Sequence, residues 1–154
     1  MKKILLFLIL ILLGVFGVVY WQWNKPRETA NDKKADVVIS LDSLYSEFQK
    51  NDSLAFATYQ NKVIQISGLL ERVEIQGEGT NRSNFAIVKS NTDGIEAKFS
   101  FPDTTLNLTL AKELKKQVVF KGFFAGFNYD AMMPEMGGTF EFNQSAIIQN
   151  NNHE

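Results

Sequence analysis

The sequence predicts a mainly β domain, a five-stranded barrel in the order β-β-β-α-β-β, preceded by short helices and by one long apolar helix. Three observations predict it. Residues Ile4 to Trp21 form a run of eighteen without a single charge. From Val63 onward apolar residues recur with period two in five segments, with one stretch of helical period between the third and the fourth. Turn residues punctuate those segments, Asp93-Gly94 carrying the strongest hairpin signature.

The apolar run comes first. As a helix it is about 27 Å long, close to the hydrocarbon thickness of a bilayer. Lys2 and Lys3 precede it, as in an export signal. A cleaved signal has an apolar region of about 7–15 residues followed by small residues. Here the run is longer, and Val18-Val19-Tyr20-Trp21-Gln22-Trp23 is bulky where a peptidase needs small groups. Residues 1–23 therefore read as a signal anchor, a transmembrane helix with Tyr20, Trp21 and Trp23 as its interfacial belt. A cleaved signal and a buried helix are the alternatives. A three-residue N-terminal tail places that end inside. The expected location is the cytoplasmic (inner) membrane, single-pass, with the C-terminal domain periplasmic or extracytoplasmic. Residues 24–35 are polar and read as a tether, with Pro26 stopping the helix.

The domain spans 36–150, with 151–154 a disordered tail. Leu41, Leu44, Tyr45 and Phe48 fall at i, i+3, i+4 and i+7 behind Ser40, a good N-cap, and a second helical segment follows Asn51-Asp52-Ser53; short helices are expected within 41–60. Val63 to Ile75 forms one long strand whose apolar parity changes midway. Gly68 stands just before that change, where a β-bulge or sharp coil would put it. Asn84 to Ser90 is the second strand and Ile95 to Phe101 the third, the latter strictly alternating. Leu106 to Lys116 reads as a helix with Leu108, Ala111 and Leu114 inward. Gln117 to Phe127 and Thr139 to Ile148 complete the set. Phe123 and Phe124 are consecutive, so one of them must point outward. A helix between the third and fourth of five strands is the order of an OB barrel.

The segments YQNKVIQISGLLERV (59–73), LKKQVVFKGFFAGF (114–127) and FEFNQSAII (140–148) resemble the tRNA_anti-like OB-fold family, and YWQWNKPR (20–27) resembles its membrane-anchored, Bacteroidetes-type members. The resemblance covers about residues 36–150 and implies a scaffold without a catalytic signature. Members often carry a cysteine in the last strand; Ser145 stands there, so the resemblance implies no thiol chemistry for this chain.

Composition narrows the chemistry. The chain has no cysteine, which excludes a disulfide framework, a thiolate metal site and the acylated cysteine of a bacterial lipoprotein. Its single histidine, His153, lies one residue from the end, with no shell to hold it as a base or ligand. Glu71 and Glu74 differ in strand parity and read as a solvated rim. No catalytic residue, metal or cofactor is expected, and the protein is not expected to be an enzyme. Residues 1–35 hold six Lys/Arg against two Asp/Glu, whereas residues 36–154 hold ten against fifteen, a balance of −5. That acidic domain counts against nucleic acid as a partner.

A binding surface remains. Between the fourth and fifth strands, residues 128–138 contain Met132, Met133 and Met136 beside Tyr129 and Phe127. Long loops of this kind cap a barrel or form a lip for a partner, and methionine adapts to either. These five are the candidate ligand-binding residues. The function expected is a non-enzymatic, membrane-anchored OB-fold binding module for a protein, peptide or small envelope ligand. The alternatives are an OB domain for nucleic acid or another anionic polymer, marked by a basic stripe across the second and third strands, and a structural component of a membrane assembly.

Overall fold

The computed structural model describes residues 2–25, 28–77, 83–101, 110, 112–129 and 137–148, with the side chains of α1 described from Ile11 onward. In chain order the elements are α1 (Lys2–Trp23), a 3-10 turn (Ala30–Asp32), β1 (Val37–Val38), α2 (Leu41–Lys50), α3 (Asp52–Tyr59), β2 (Val63–Gln76), β3 (Ser83–Lys89), β4 (Ile95–Phe101), β5 (Gln117–Tyr129) and β6 (Gly138–Ile148). The fold is an OB-like barrel built from six strands, not the five expected. They are ordered β1-β2-β3-β4-β6-β5, and a second pairing, of β2 with β5, closes the ring. The additional strand is β1, two residues paired in parallel with Ile64 and Gln65. A two-residue strand has no periodicity to read; only its backbone partners reveal it.

Closure depends on β2 serving two neighbours. Its first half pairs with β5, from Val63↔Phe123 to Leu69↔Gln117, and its second half pairs with β3. The register shifts between Leu70 and Arg72, so the irregularity sits at Glu71 and not at Gly68, which pairs regularly with Val118. Glycine at 68 answers a different need. A Cβ built there would lie 2.2 Å from Cγ1 of Val88, so the position is kept empty for a side chain of the neighbouring strand. The bulge at 71 keeps Ile64, Ile66 and Leu70 in the core and then turns the parity of Val73 inward.

The core is mostly aromatic. Phe99 stacks on Phe120 and Phe142 with ring centroids 5.0 and 4.6 Å apart. α2 and α3 pack onto the same core through Leu41, Leu44, Phe48, Ala55 and Tyr59, and Phe48 lies against Phe124, Phe127 and Phe140. Capping explains why two short helices follow one another without a break. The Ser40 hydroxyl accepts from the Ser43 N–H at 3.1 Å, and the Asn51 side chain, which ends α2, accepts from the Leu54 N–H at 2.9 Å to start α3. Asp42 in the first turn of α2 ties that helix to the β3–β4 turn, accepting from the Asn91 side chain and from the N–H and hydroxyl of Thr92, and also from the Ser90 hydroxyl. The Ser90 hydroxyl, first among these donors, holds the Asp42 carboxyl below its usual range.

Of the helix expected over 106–116, residues 106–109 and 111 lie outside the described residues. Leu110 and Lys112 are helical, and Leu110 is fully buried. Leu114, expected inward, is 39% exposed. The chain has already left the helix at Glu113, and Lys115 at φ +63° turns it so that its N–H reaches the Leu70 carbonyl at 2.9 Å. The expected tail, 151–154, also lies outside the described residues.

α1 is continuous over 22 residues. Among the residues described with their side chains, which in α1 begin at Ile11, no helix is long and apolar enough to cross a membrane. Beyond α1 the segment expected to be a tether packs on the barrel from Ala30 onward. Ala30 is fully buried, and the ammonium of Lys121 on β5 donates to the carbonyls of Asn31 and Lys33 at 3.2 and 2.9 Å. Phe123 is the outward-pointing ring, with the Lys33 ammonium 5.3 Å above it, while Phe124 points inward against Phe48, Phe56 and Tyr59.

Candidate functional site

Two surfaces combine rings that are at least partly exposed with polar groups: the outer face of β2–β4, and the tip of β5 beside α2. On the first, alternation sends Ala86, Val88, Ala97 and Phe99 into the barrel, so Phe85, Ile87, Lys89, Glu96, Lys98 and Ser100 face out. The registers align one row across four strands, Arg72–Ile87–Lys98–Glu141, and set Glu74–Phe85–Ser100 beside it. Arg72 donates to both carboxylate oxygens of Glu96 at 2.8 Å and through Nε to Glu74 at 2.8 Å. Its pKa is raised by hydrogen bonding to Glu96 and then Glu74, and Glu74 is lowered by the same contact. Ile87 is 2% exposed although it faces out and stands apart from the core cluster, with Arg72 and Lys98 as its cross-strand neighbours. Next to it the Lys98 ammonium stands 4.0 Å above the centroid of Phe85.

At the tip of β5 three rings form a ladder. Phe140 stacks on Phe127 at 4.1 Å, and Phe127 on Tyr129 at 5.3 Å, so the stack begins in the core and ends on Tyr129, 46% exposed. Three clefts, of about 310, 540 and 620 Å³, are each lined by Tyr129. The first runs toward Tyr45 and Lys50, the second toward Phe56, and the third toward Gly94 and Glu96. The third joins the two surfaces, since Glu96 is held by Arg72. Gly137, at φ +88°, seals this corner: a Cβ there would sit 1.9 Å from the Gly94 carbonyl oxygen, which accepts from the Gly138 N–H at 2.9 Å.

Of the five candidate residues, Phe127 and Tyr129 stand together on this ladder, Phe127 half-buried against the core; Met132, Met133 and Met136 lie outside the described residues. Glu71 and Glu74 are apart, each with its own cation, Lys115 and Arg72 respectively. Among the described residues no three acidic or histidine side chains gather as a metal site, and His153 lies outside them. Sequence reasoning passed over Phe85 and Arg72. A signal was present: Phe85-Ala86-Ile87-Val88 is apolar on both parities, so one pair had to face out.

The model of the tRNA_anti-like family matches residues 1–133. The chain belongs to this family. No curated protein matches it. Among solved structures it is similar to a candidate nucleic acid-binding lipoprotein from Klebsiella pneumoniae, with TM-score 0.56 and 11% identity over 73% of this chain and 91% of that one. It is also similar to yeast Stn1 and Ten1, with TM-score 0.41 and 16% identity over 78% of this chain and 66% of that one. The first likeness shows the fold of this tRNA_anti-like chain. It also corrects one expectation. The acidic balance was read as counting against nucleic acid, yet the same fold occurs in a protein described as a nucleic acid binder. Net charge is a sum over the whole domain and does not describe each face: the outer face of β2–β4 carries Arg72, Lys89 and Lys98, with Lys98 over the Phe85 ring.

Proposed function

We propose that this chain is a non-enzymatic OB-fold binding module, held by α1 on the outer side of the cytoplasmic membrane, that takes a single strand of nucleic acid along the outer face of β3 and β4. The observation that carries the ligand class is the Lys98 ammonium over the Phe85 ring on the wall that OB folds use for oligonucleotides. A base stacks on the ring as the ammonium swings to the adjoining phosphate. Stacking of this kind is worth about 1–3 kcal/mol per base. The face is balanced, with Arg72, Lys89 and Lys98 against Glu74, Glu96 and Glu141, so few phosphates are engaged. Binding is therefore weak and loses only about 0.7–1.4 decades per decade of salt, as for one or two phosphates on a single strand.

The anchor rests on the eighteen uncharged residues and on exposure all round the helix. From Ile11 to Trp23 the side chains are exposed, Phe16 at 72% and Trp23 at 86%, so among the described residues nothing covers the apolar side chains that lipid would. Fluorescence anisotropy of a labelled oligonucleotide with the detergent-solubilised chain tests the ligand. Phe85→Ala should weaken binding about tenfold or more, in line with one stacked base, and Lys98→Glu should also weaken it. Undiminished binding in both variants, or none in the unaltered chain, rejects this reading; recovery of a protein ligand alone would move it to another class. A C-terminal reporter active only outside the cytoplasm tests the topology, and a soluble chain starting near residues 22–30 would overturn the anchor.

A further inference from the structure

We infer that the barrel turns its β5–β6 wall toward the lipid surface and its β3 wall away from it, the orientation being fixed by the segment docked between α1 and β1. The inference rests on the reading of α1 as an anchor. Six residues, 24–29, separate the end of α1 from the buried Ala30. Fully extended they reach only about 20–25 Å, less than the width of a small domain. The place where residues 30–36 dock therefore decides which side of the barrel can lie near the bilayer.

That place is one wall. The 3-10 turn contacts β5 and β6. Alternation along β5, with Val118, Phe120 and Phe124 buried, puts Lys121 and Phe123 on its outer side. Lys121 holds the carbonyls of Asn31 and Lys33, and Lys33 covers Phe123. The segment is closed at both ends. Thr29 donates through its N–H and hydroxyl to the Asp32 carboxylate at 3.3 and 2.8 Å, and the Asp36 carboxylate accepts from the Val63 N–H at 2.8 Å. In the ring order β2-β3-β4-β6-β5 the strand across the barrel from the β5–β6 pair is β3. A short leash fixed to one wall thus presents Phe85 on the opposite one, with Lys98 on the intervening β4 turned toward that ring. The partner of the β5–β6 wall is the headgroup layer. Charge agrees, because on the barrel side of α1 residues 24–35 hold four Lys/Arg against Glu28 and Asp32 while the rest of the chain is acidic.

The absence of cysteine makes the test clean. Asn143, exposed on β6 and paired with Phe123, and Lys89, exposed on β3, are each replaced by cysteine and labelled with a fluorophore in the full chain. The chain is placed in nanodiscs of phosphatidylcholine and phosphatidylglycerol containing a headgroup nitroxide. Quenching should be several-fold stronger at Asn143→Cys than at Lys89→Cys. Lys121→Met, which keeps the stem and removes the donors, should bring the two toward equality, and Lys121→Arg should restore the difference. Equal quenching in a chain retained by the disc overturns the inference alone. Release of the chain from the disc overturns the anchor reading, and this inference with it.

Discussion

Phe99 and Phe85 lie on neighbouring strands, one residue type on two sides of a single sheet. Phe99 is wholly enclosed, stacked between Phe120 and Phe142 in the centre of the barrel. Phe85 is half-buried under a lysine, beside an arginine already committed to two carboxylates. The first ring is held by many apolar neighbours that cannot move aside; the second is covered by flexible polar chains that can. Side-chain type does not separate structure from site here. What separates them is whether the covering groups can exchange for a ligand.

The comparison breaks most sharply at the core. Phe99→Ala should cost about 3–5 kcal/mol, as for a cavity in a packed interior, read as a fall in the urea midpoint; a loss below about 1 kcal/mol would mean the ring ladder is not the core of the fold. Gly68→Val comes next, at about 1–3 kcal/mol from overpacking against Val88. In a Val88→Ala background most of that loss should disappear; if it does not, backbone strain and not the missing space governs the position.

Asp42 gives a smaller effect with a pH signature. Asp42→Ala should cost about 1–2 kcal/mol near neutral pH, discounted for partial exposure from what hydrogen bonds to a charged group usually contribute. Its folded pKa is depressed, so its contribution is present above the unfolded value near 4 and is lost as pH falls through the folded one. The gap between parent and variant should therefore be constant from pH 7 to about 5 and close toward pH 3; a gap independent of pH would assign the loss to packing. Phe85→Ala should be the mildest, about 0.5–1 kcal/mol from the lost cation–π contact, with melting almost unchanged while oligonucleotide affinity drops. A large loss of stability would place Phe85 with Phe99 and remove it from the site.

Local pattern carried most of the barrel. The third strand, Ile95 to Phe101, stands where alternation put it, and β2, β3, β5 and β6 lie within two residues of their expected ends. Ser40 and Asn51 cap the helices as their side chains allow. Legibility failed where the cause was distant in sequence. Gly68 announced an irregularity, but its reason is a valine twenty residues on, and the bulge went to Glu71. Leu114 has helical spacing and is nevertheless exposed, because Lys115 is drawn out of the helix by the Leu70 carbonyl. At the candidate site Tyr129 and Phe127 were legible as aromatics before a long loop; the row that joins Arg72, Ile87 and Lys98 exists only in the registers of three strands.

By itself the sequence determined the succession of the five longer strands along the chain, the apolar run ahead of the domain and the absence of cysteine. These are properties of consecutive residues, set by periodicity and composition. The tertiary structure alone decided that β2 pairs with both β3 and β5, that residues 30–35 pack on the barrel where a free tether was expected, and that a lysine of an acidic domain stands over the half-buried ring of Phe85. Each of these depends on which backbone hydrogen bonds close the ring, and that closure brings together residues whose separation along the chain leaves no local trace.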